Sequence, residues 1–282
     1  SALMIILKNP SEVKSNLANK KNLALIPTMG NLHAGHISLI ENAKNYADTI
    51  IVSIFVNPIQ FNSQNDLKNY PRTLTKDITI LNKLGVDILF NPSEKDIYPS
   101  NPTLSYTLPP LAKQLCGASR PGHFEGVITI IEKLFSLFKS DHVFFGKKDY
   151  QQLMLIKQFI SDKNYKINFH SVETAREQNS LTLSSRNRLL NSAAKKIAST
   201  LFEILKEAIV ELKKIHDINQ AESFAVKKLT SLGWAVDYVE IRRQADLLKP
   251  STNDKNLVIL GAANYDDVRL IDNIEFCTDV TI

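Results

Sequence analysis

The 282-residue sequence predicts an α/β protein, a doubly wound parallel sheet followed by a smaller α+β domain. Three observations carry this expectation. Short apolar, β-rich runs alternate with stretches of helical periodicity through the first 175 residues. Punctuating residues, among them Gly85, Asn91-Pro92 and Gly146, close the units. After Ala175 the order changes to two long helices followed by a run of strands.

Each element follows from its residues. Residues 23–26 are a short apolar run, read as a buried strand, and 37–47 place Leu39, Ile40 and Ala43 on one helical face. Residues 49–56 (TIIVSIFV) read as the next strand, ending at Asn57-Pro58. The polar stretch 62–69 (NSQNDLKN) reads as weakly structured and as a candidate lid. Residues 74–84 read as a helix that stops at Gly85, a natural C-cap, and 86–90 as a strand. A long apolar helix over 127–138, a strand over 142–145, a helix over 150–160 and a strand over 167–172 complete the alternation. Alternation of this kind requires parallel strands with helices on both faces. Beyond it, 193–216 carry an amphipathic stripe, and 220–232 form a helix ending at Gly233. Residues 236–241, 257–263 and 268–276 read as strands, the last two joined by the turn 264–267. The expected domains are therefore a larger one over 1–175 and a smaller α+β one over 176–282.

Composition narrows the function. A net charge of +5 favours acidic ligands, but the lysines are scattered and no cluster of Arg and Lys is interleaved with aromatics. Small anions account for the excess, and no nucleic-acid partner is expected. Cys116 and Cys277 are the only cysteines and lack metal-type spacing, which fits a reducing cytoplasm. No 18-residue apolar run suggests a membrane span, and residues 3–7 are too short for a signal-peptide core. A cytoplasmic protein without a membrane partner is expected.

The most informative segment is Pro27-Thr28-Met29-Gly30-Asn31-Leu32-His33-Ala34-Gly35-His36. It joins a strand to a helix, where glycines allow close approach of the backbone to a ligand. A helix start offers unpaired N–H groups and a positive dipole end to an anion, with two imidazoles beside it. The Gly30-to-Gly35 spacing imitates a phosphate-binding P-loop. His36 and Ile37 nevertheless stand where its Lys and Ser/Thr would be, so that motif is excluded. The His-x-Gly-His form is similar to that of class I aminoacyl-tRNA synthetases and their small nucleotidyltransferase relatives. Five further segments lie at or beside predicted strand ends: FVNPIQF (55–61), YPRT (70–73), RPGHFEGV (120–127), FGKKDYQQ (145–152) and LSSRN (183–187). Strand carboxyl ends are where ligands bind in such sheets.

In this order and spacing, the six segments closely resemble the pantothenate synthetase (pantoate–β-alanine ligase) family over residues 20–190. The resemblance implies a Rossmann-like, nucleotidyltransferase-type sheet. It also implies ATP and Mg²⁺, the substrates pantoate and β-alanine, a pantoyl-adenylate intermediate and a homodimer. Met29, Gly30, Asn31, Leu32, His33, Ala34, Gly35 and His36 would bind the nucleotide, with His33 and His36 catalytic and His36 the proton donor. Gly146, Lys147, Lys148 and Asp149 would form a second nucleotide contact. Lys148 would neutralise phosphate charge and Asp149 would receive a ribose hydroxyl; a plain surface turn is the alternative. Lys147 reads as the more solvated of the two lysines. Ala175 and Leu183 align with nucleotide contacts. Ser184, Ser185 and Arg186 stand where class I synthetases carry their second phosphate-gripping loop, and Arg186 suits phosphate oxygens bidentately. Gln60 and Gln152 would contact pantoate, as would Asn57, for which an ordinary Asn-Pro turn is the other reading. Arg120 and His123 lie in a segment the family uses near its site. Asp87 reads either as a Mg²⁺ ligand or as a residue buried at a strand start. A nucleotidyltransferase ending at a nucleotide conjugate would share His-x-Gly-His but lack FVNPIQF and FGKKDYQQ, and a basic RNA-binding module would need clustered charge.

Overall fold

The computed structural model describes residues 3–176 and 192–279. The chain divides into two compact units, Ser1–Lys147 with Leu155–Glu173, and Lys148–Met154 with Thr174–Ile282.

The first unit is built on six parallel strands. In chain order its elements begin with β1 (Ile5–Leu7), α1 (Pro10–Leu17), β2 (Leu23–Thr28), α2 (Ala34–Ala43) and β3 (Thr49–Ile54). Then come α3 (Gln64–Asn69), α4 (Leu74–Lys83), β4 (Ile88–Phe90), α5 (Glu94–Ile97), α6 (Cys116–Ser119) and α7 (His123–Phe138). β5 (His142–Gly146), α8 (Tyr150–Asp162) and β6 (Asn168–Val172) follow. The first residues of α8 belong to the second unit. The sheet order is β1-β4-β3-β2-β5-β6, every pair parallel. Chain progress runs from β2 through β3 to β4 on one side, then resumes at β5 on the other side of β2. Strand order thus reverses between β2 and β5, and the crevice outside their carboxyl ends is the expected ligand position. The strands are buried on both faces, which is why they read as continuous apolar runs. Ile26, Val52 and Leu89 from the strands pack with Leu39, Ile40 and Leu81 from the helices in one core.

The second unit holds α9 (Ser192–Ala198), α10 (Thr200–Ile215) and α11 (Ile218–Ser231). It also holds an antiparallel sheet of β7 (Ala235–Arg243), β8 (Asn256–Tyr265) and β9 (Val268–Cys277), ordered β7-β8-β9. Leu201, Leu205, Ala208 and Leu212 of α10 pack with Ala221 and Ala225 of α11 against Ile241, Leu257 and Ile259 of the sheet.

Two local expectations are corrected, and two elements at the start of the chain are new. Residues 64–69 are helical, because Ser63 caps α3 by accepting from the Asp66 N–H at 3.3 Å. The stripe over 193–216 is two helices, α9 and α10, separated at Ser199 without loss of apolar periodicity. β1 and α1 have no counterpart among the expected elements. β1 is only three residues long, yet it pairs with β4 as a parallel edge strand. α1 carries a legible start, with Asn9 accepting from the Glu12 N–H and Pro10 in the first turn. Among the described residues no helix is long and apolar enough to cross a membrane.

Candidate active site

The candidate site begins where β2 ends. After Thr28 the backbone passes through two successive left-handed residues, Gly30 at φ 78° and Asn31 at φ 51°. Glycine adopts this at no steric cost, and asparagine tolerates it better than most residues. The N–H groups of Asn31 and Leu32 then converge on the carboxylate of Asp77, at 2.9 and 3.0 Å. Successive backbone N–H groups in such a turn make an anion-binding concavity, and here a side chain of the protein fills it. Asp77 is buried and lies in the first turn of α4, where the helix dipole favours negative charge; Thr73 Oγ1 donates to it at 3.2 Å. Thr28 Oγ1 accepts from the Gly30 N–H at 3.1 Å and donates to the Ser53 carbonyl at 2.8 Å, pinning the turn to β3. Sequence reasoning missed Asp77. The available signal was an acid four residues before Leu81, on the face of α4 that is buried.

His33 is the N-cap of α2, so the helix starts inside the motif, three residues earlier than its apolar periodicity indicated. The Gly35 N–H donates to His33 Nδ1 at 3.0 Å, and the His33 N–H donates to His36 Nδ1 at 3.2 Å. A backbone amide can only donate, so both Nδ1 atoms are unprotonated and each neutral ring carries its proton on Nε2. The rings lie 4.2 Å apart between centroids, tilted by 45°. A Cβ on Gly35 would fall 2.7 Å from His33 Cε1, so glycine at 35 is what leaves room for the ring. The helix start thus combines two imidazole N–H donors with a positive dipole end, a combination suited to phosphate.

The end of β3 supplies amides. Asn57 leads into a single 3₁₀ turn, Pro58–Gln60. Asn57 Nδ2 donates to Gln60 Oε1 at 2.9 Å and to the Gly126 carbonyl at 3.1 Å, while the Tyr98 hydroxyl donates to Asn57 Oδ1 at 2.9 Å. Helix α7 meets this turn backbone to backbone. A Cβ on Gly126 would lie 2.6 Å from the Ile59 carbonyl oxygen and 2.7 Å from Gln60 Cα. His123 Nδ1 lies 2.8 Å from the Gln60 carbonyl, which makes Nδ1 the protonated nitrogen of that ring.

In the second unit, the turn after β5 carries Lys148 and Asp149, 4.0 Å apart. Asn273 Nδ2 donates to the Lys148 carbonyl at 3.0 Å. Neighbouring Asp272, buried, forms a two-pronged ion pair with Arg176 at 2.7 and 2.8 Å, and Arg176 lies 4.0 Å over the Phe202 ring. Gln152 is half-buried beside the buried Gln151.

This arrangement coincides with a match along nearly the whole chain. The sequence profile of the pantoate-beta-alanine ligase family matches residues 5–275. The chain belongs to that family. It is 46% identical over 272 residues to the pantothenate synthetase of Methylobacillus flagellatus, covering 96% of this chain and 98% of the relative. To that of Neisseria meningitidis serogroup B it is 44% identical over 275 residues, covering 96% and 99%. Among solved structures, the pantothenate synthetase of Thermus thermophilus superposes with a TM-score of 0.89 at 33% identity, covering 96% of this chain and 99% of that one. The pantoate-beta-alanine ligase of Francisella tularensis, complexed with beta-gamma ATP and beta-alanine, gives a TM-score of 0.82 at 40% identity, covering 96% and 97%.

Within this ligase, Met29 through His36 form one continuous turn and helix cap at the end of β2. Asn57 and Gln60 follow the adjacent strand β3, and on the other side Gly146 ends β5 and Lys147 follows it. Lys147 is spent on an ion pair with Glu173 at 2.6 Å. Ala175 is half-buried. Leu183, Ser184, Ser185 and Arg186 lie outside the described residues. Two assignments change. Asp87 is not at the ligand end of the sheet: it sits just before β4, at the amino ends of the strands, with its carboxylate accepting from the Ile50 N–H at 2.8 Å. Asn57 is not a free substrate contact either. It is buried, and both its amide N–H bonds and its oxygen are taken up within the protein, behind Gln60. Among the described residues no group of three His, Cys, Asp or Glu could hold a metal ion.

Proposed function

We propose that this ligase condenses pantoate with β-alanine in two steps at the strand ends of its first unit. A pantoate carboxylate oxygen attacks the α-phosphorus of ATP, the bond to pyrophosphate breaks, and pantoyl-adenylate forms. The β-alanine nitrogen then attacks the acyl carbon, the bond to the AMP oxygen breaks, and the amine gives up a proton as the amide forms. The observation that carries this reading is the capped start of α2, with both imidazoles held so that Nε2 bears the proton.

In this reading His33 and His36 donate to phosphate oxygens, and their work is positioning and charge stabilisation at the reacting phosphorus. Gln60 and Gln152 hold pantoate. Lys148 and Arg186 neutralise phosphate charge, and Asp149 receives the ribose. Mg²⁺ bound with ATP would supply further neutralisation of phosphate charge. Cys116 and Cys277 are not joined in a disulfide, which accords with work in the cytoplasm. The active form is a homodimer, for which light scattering at micromolar concentration should return twice the chain mass; a single-chain mass would remove it.

Product analysis tests the reaction. With ATP, Mg²⁺, pantoate and β-alanine, mass spectrometry should find pantothenate, AMP and pyrophosphate in equal amounts, and omission of any one substrate should abolish pantothenate. Release of ADP, or a conjugate that retains the nucleotide as final product, would contradict the reading.

A further inference from the structure

Gln60 carries an amide, and an amide can offer a substrate either an acceptor oxygen or two N–H donors. The contacts behind it decide which. The Gly126 carbonyl can only accept, and it faces Asn57 Nδ2 at 3.1 Å, so the nitrogen of Asn57 lies on that side. Asn57 Oδ1 then faces the Tyr98 hydroxyl at 2.9 Å. Burial, aided by the charge of Glu94, pushes the Tyr98 phenol above its ordinary value, so it remains a donor. The second N–H of Asn57 goes to Gln60 Oε1 at 2.9 Å. The oxygen of Gln60 is thereby committed inward. Its Nε2, with two donors and no partner among the described residues, is the group left to offer.

We propose that Tyr98 is a specificity-determining positioning residue: through Asn57, its hydroxyl holds the Gln60 amide with oxygen inward and nitrogen toward the substrate. The position then accepts a carboxylate or hydroxyl oxygen and rejects an ammonium or amide N–H. The proposal deepens the function above and rests on its assignment of pantoate to Gln60.

Tyr98 packs edge-on against Phe55, 5.8 Å between centroids, so Tyr98→Phe keeps the ring and removes only the hydroxyl. Steady-state kinetics should show the KM for pantoate rising about threefold to tenfold, the loss of one neutral hydrogen bond. The KM for ATP should stay within about twofold. In a Gln60→Ala background the same substitution should have almost no further effect, because residues acting through one another are not additive. Gln60→Glu tests the orientation without touching Tyr98: it still accepts from Asn57 but sets an oxygen where the donors were. It should keep the thermal midpoint and bind pantoate worse than Gln60→Ala does. The proposal is overturned by equal changes in both KM values, by an undiminished effect in Gln60→Ala, by an unaffected Tyr98→Phe enzyme, or by a Gln60→Glu enzyme that binds pantoate normally. A wild-type chain that turns over no pantoate strikes the proposed function; any of these outcomes in an active enzyme strikes only the role of Tyr98.

Discussion

His36→Ala should lower pantoate-dependent adenylation by about 10²–10³, the usual consequence of removing one preorganised donor from a developing charge. The substitution also removes the acceptor of the His33 N–H and loosens the start of α2. Loss of a cap costs about 0.5–2 kcal/mol. The two effects separate with His36→Gln. At the third helical position a glutamine can reach back to the N-cap amide, as it does in capping boxes. His36→Gln should therefore recover much of the melting temperature lost in His36→Ala and recover little of the rate. An active His36→Gln enzyme would show that the histidine serves the helix start alone. Pyrophosphate exchange and thermal melts on the three proteins make the comparison.

The second large effect belongs to a residue that touches no phosphate in the proposed reaction. Asp77→Ala orphans the N–H groups of Asn31 and Leu32. Each buried donor left unpaired costs about 1–3 kcal/mol. Asn31 also loses what holds it at positive φ, so the turn that sets His33 in place should relax. Displacements of about 1 Å at a reacting group can cost 10²-fold. Asp77→Ala should thus lose both stability, read by urea denaturation, and adenylation rate. Asp77→Asn should behave as an intermediate, since its amide can accept one of the two N–H groups while its own N–H₂ opposes the other. A stable, fully active Asp77→Ala enzyme would remove the buried carboxylate from the account of the site.

Why Asp77 escaped the sequence while the histidines did not is a matter of range. Gly30, His33, Gly35 and His36 form their hydrogen bonds within the motif, so strand, turn and helix start are legible as a local string. Asp77 acts on Asn31 and Leu32 across 46 and 45 residues, and Tyr98 acts on Asn57 across 41. No spacing rule reports such pairs. Asn57 and Gln60 were legible as amides at a strand end, but which one faces inward depends on Gly126, brought there by α7. Asp87 carries two readings in the sequence, a Mg²⁺ ligand or a residue buried at a strand start, and the bond its carboxylate accepts from the distant Ile50 N–H selects the second. The sheet itself was largely readable, since strands buried on both faces are continuous apolar runs. β1 was lost because three residues carry too little pattern, and the break at Ser199 because apolar spacing continues across it.

The central claim is that the site activates pantoate before the amine takes part. It is tested most directly by exchange of labelled pyrophosphate into ATP with Mg²⁺ and pantoate present and β-alanine omitted. In the proposed reaction adenylation needs no amine, so label should enter ATP at a rate that depends on pantoate and vanishes without it. Exchange that appears only when β-alanine is added would contradict a free pantoyl-adenylate and with it the two-step chemistry assigned to this site.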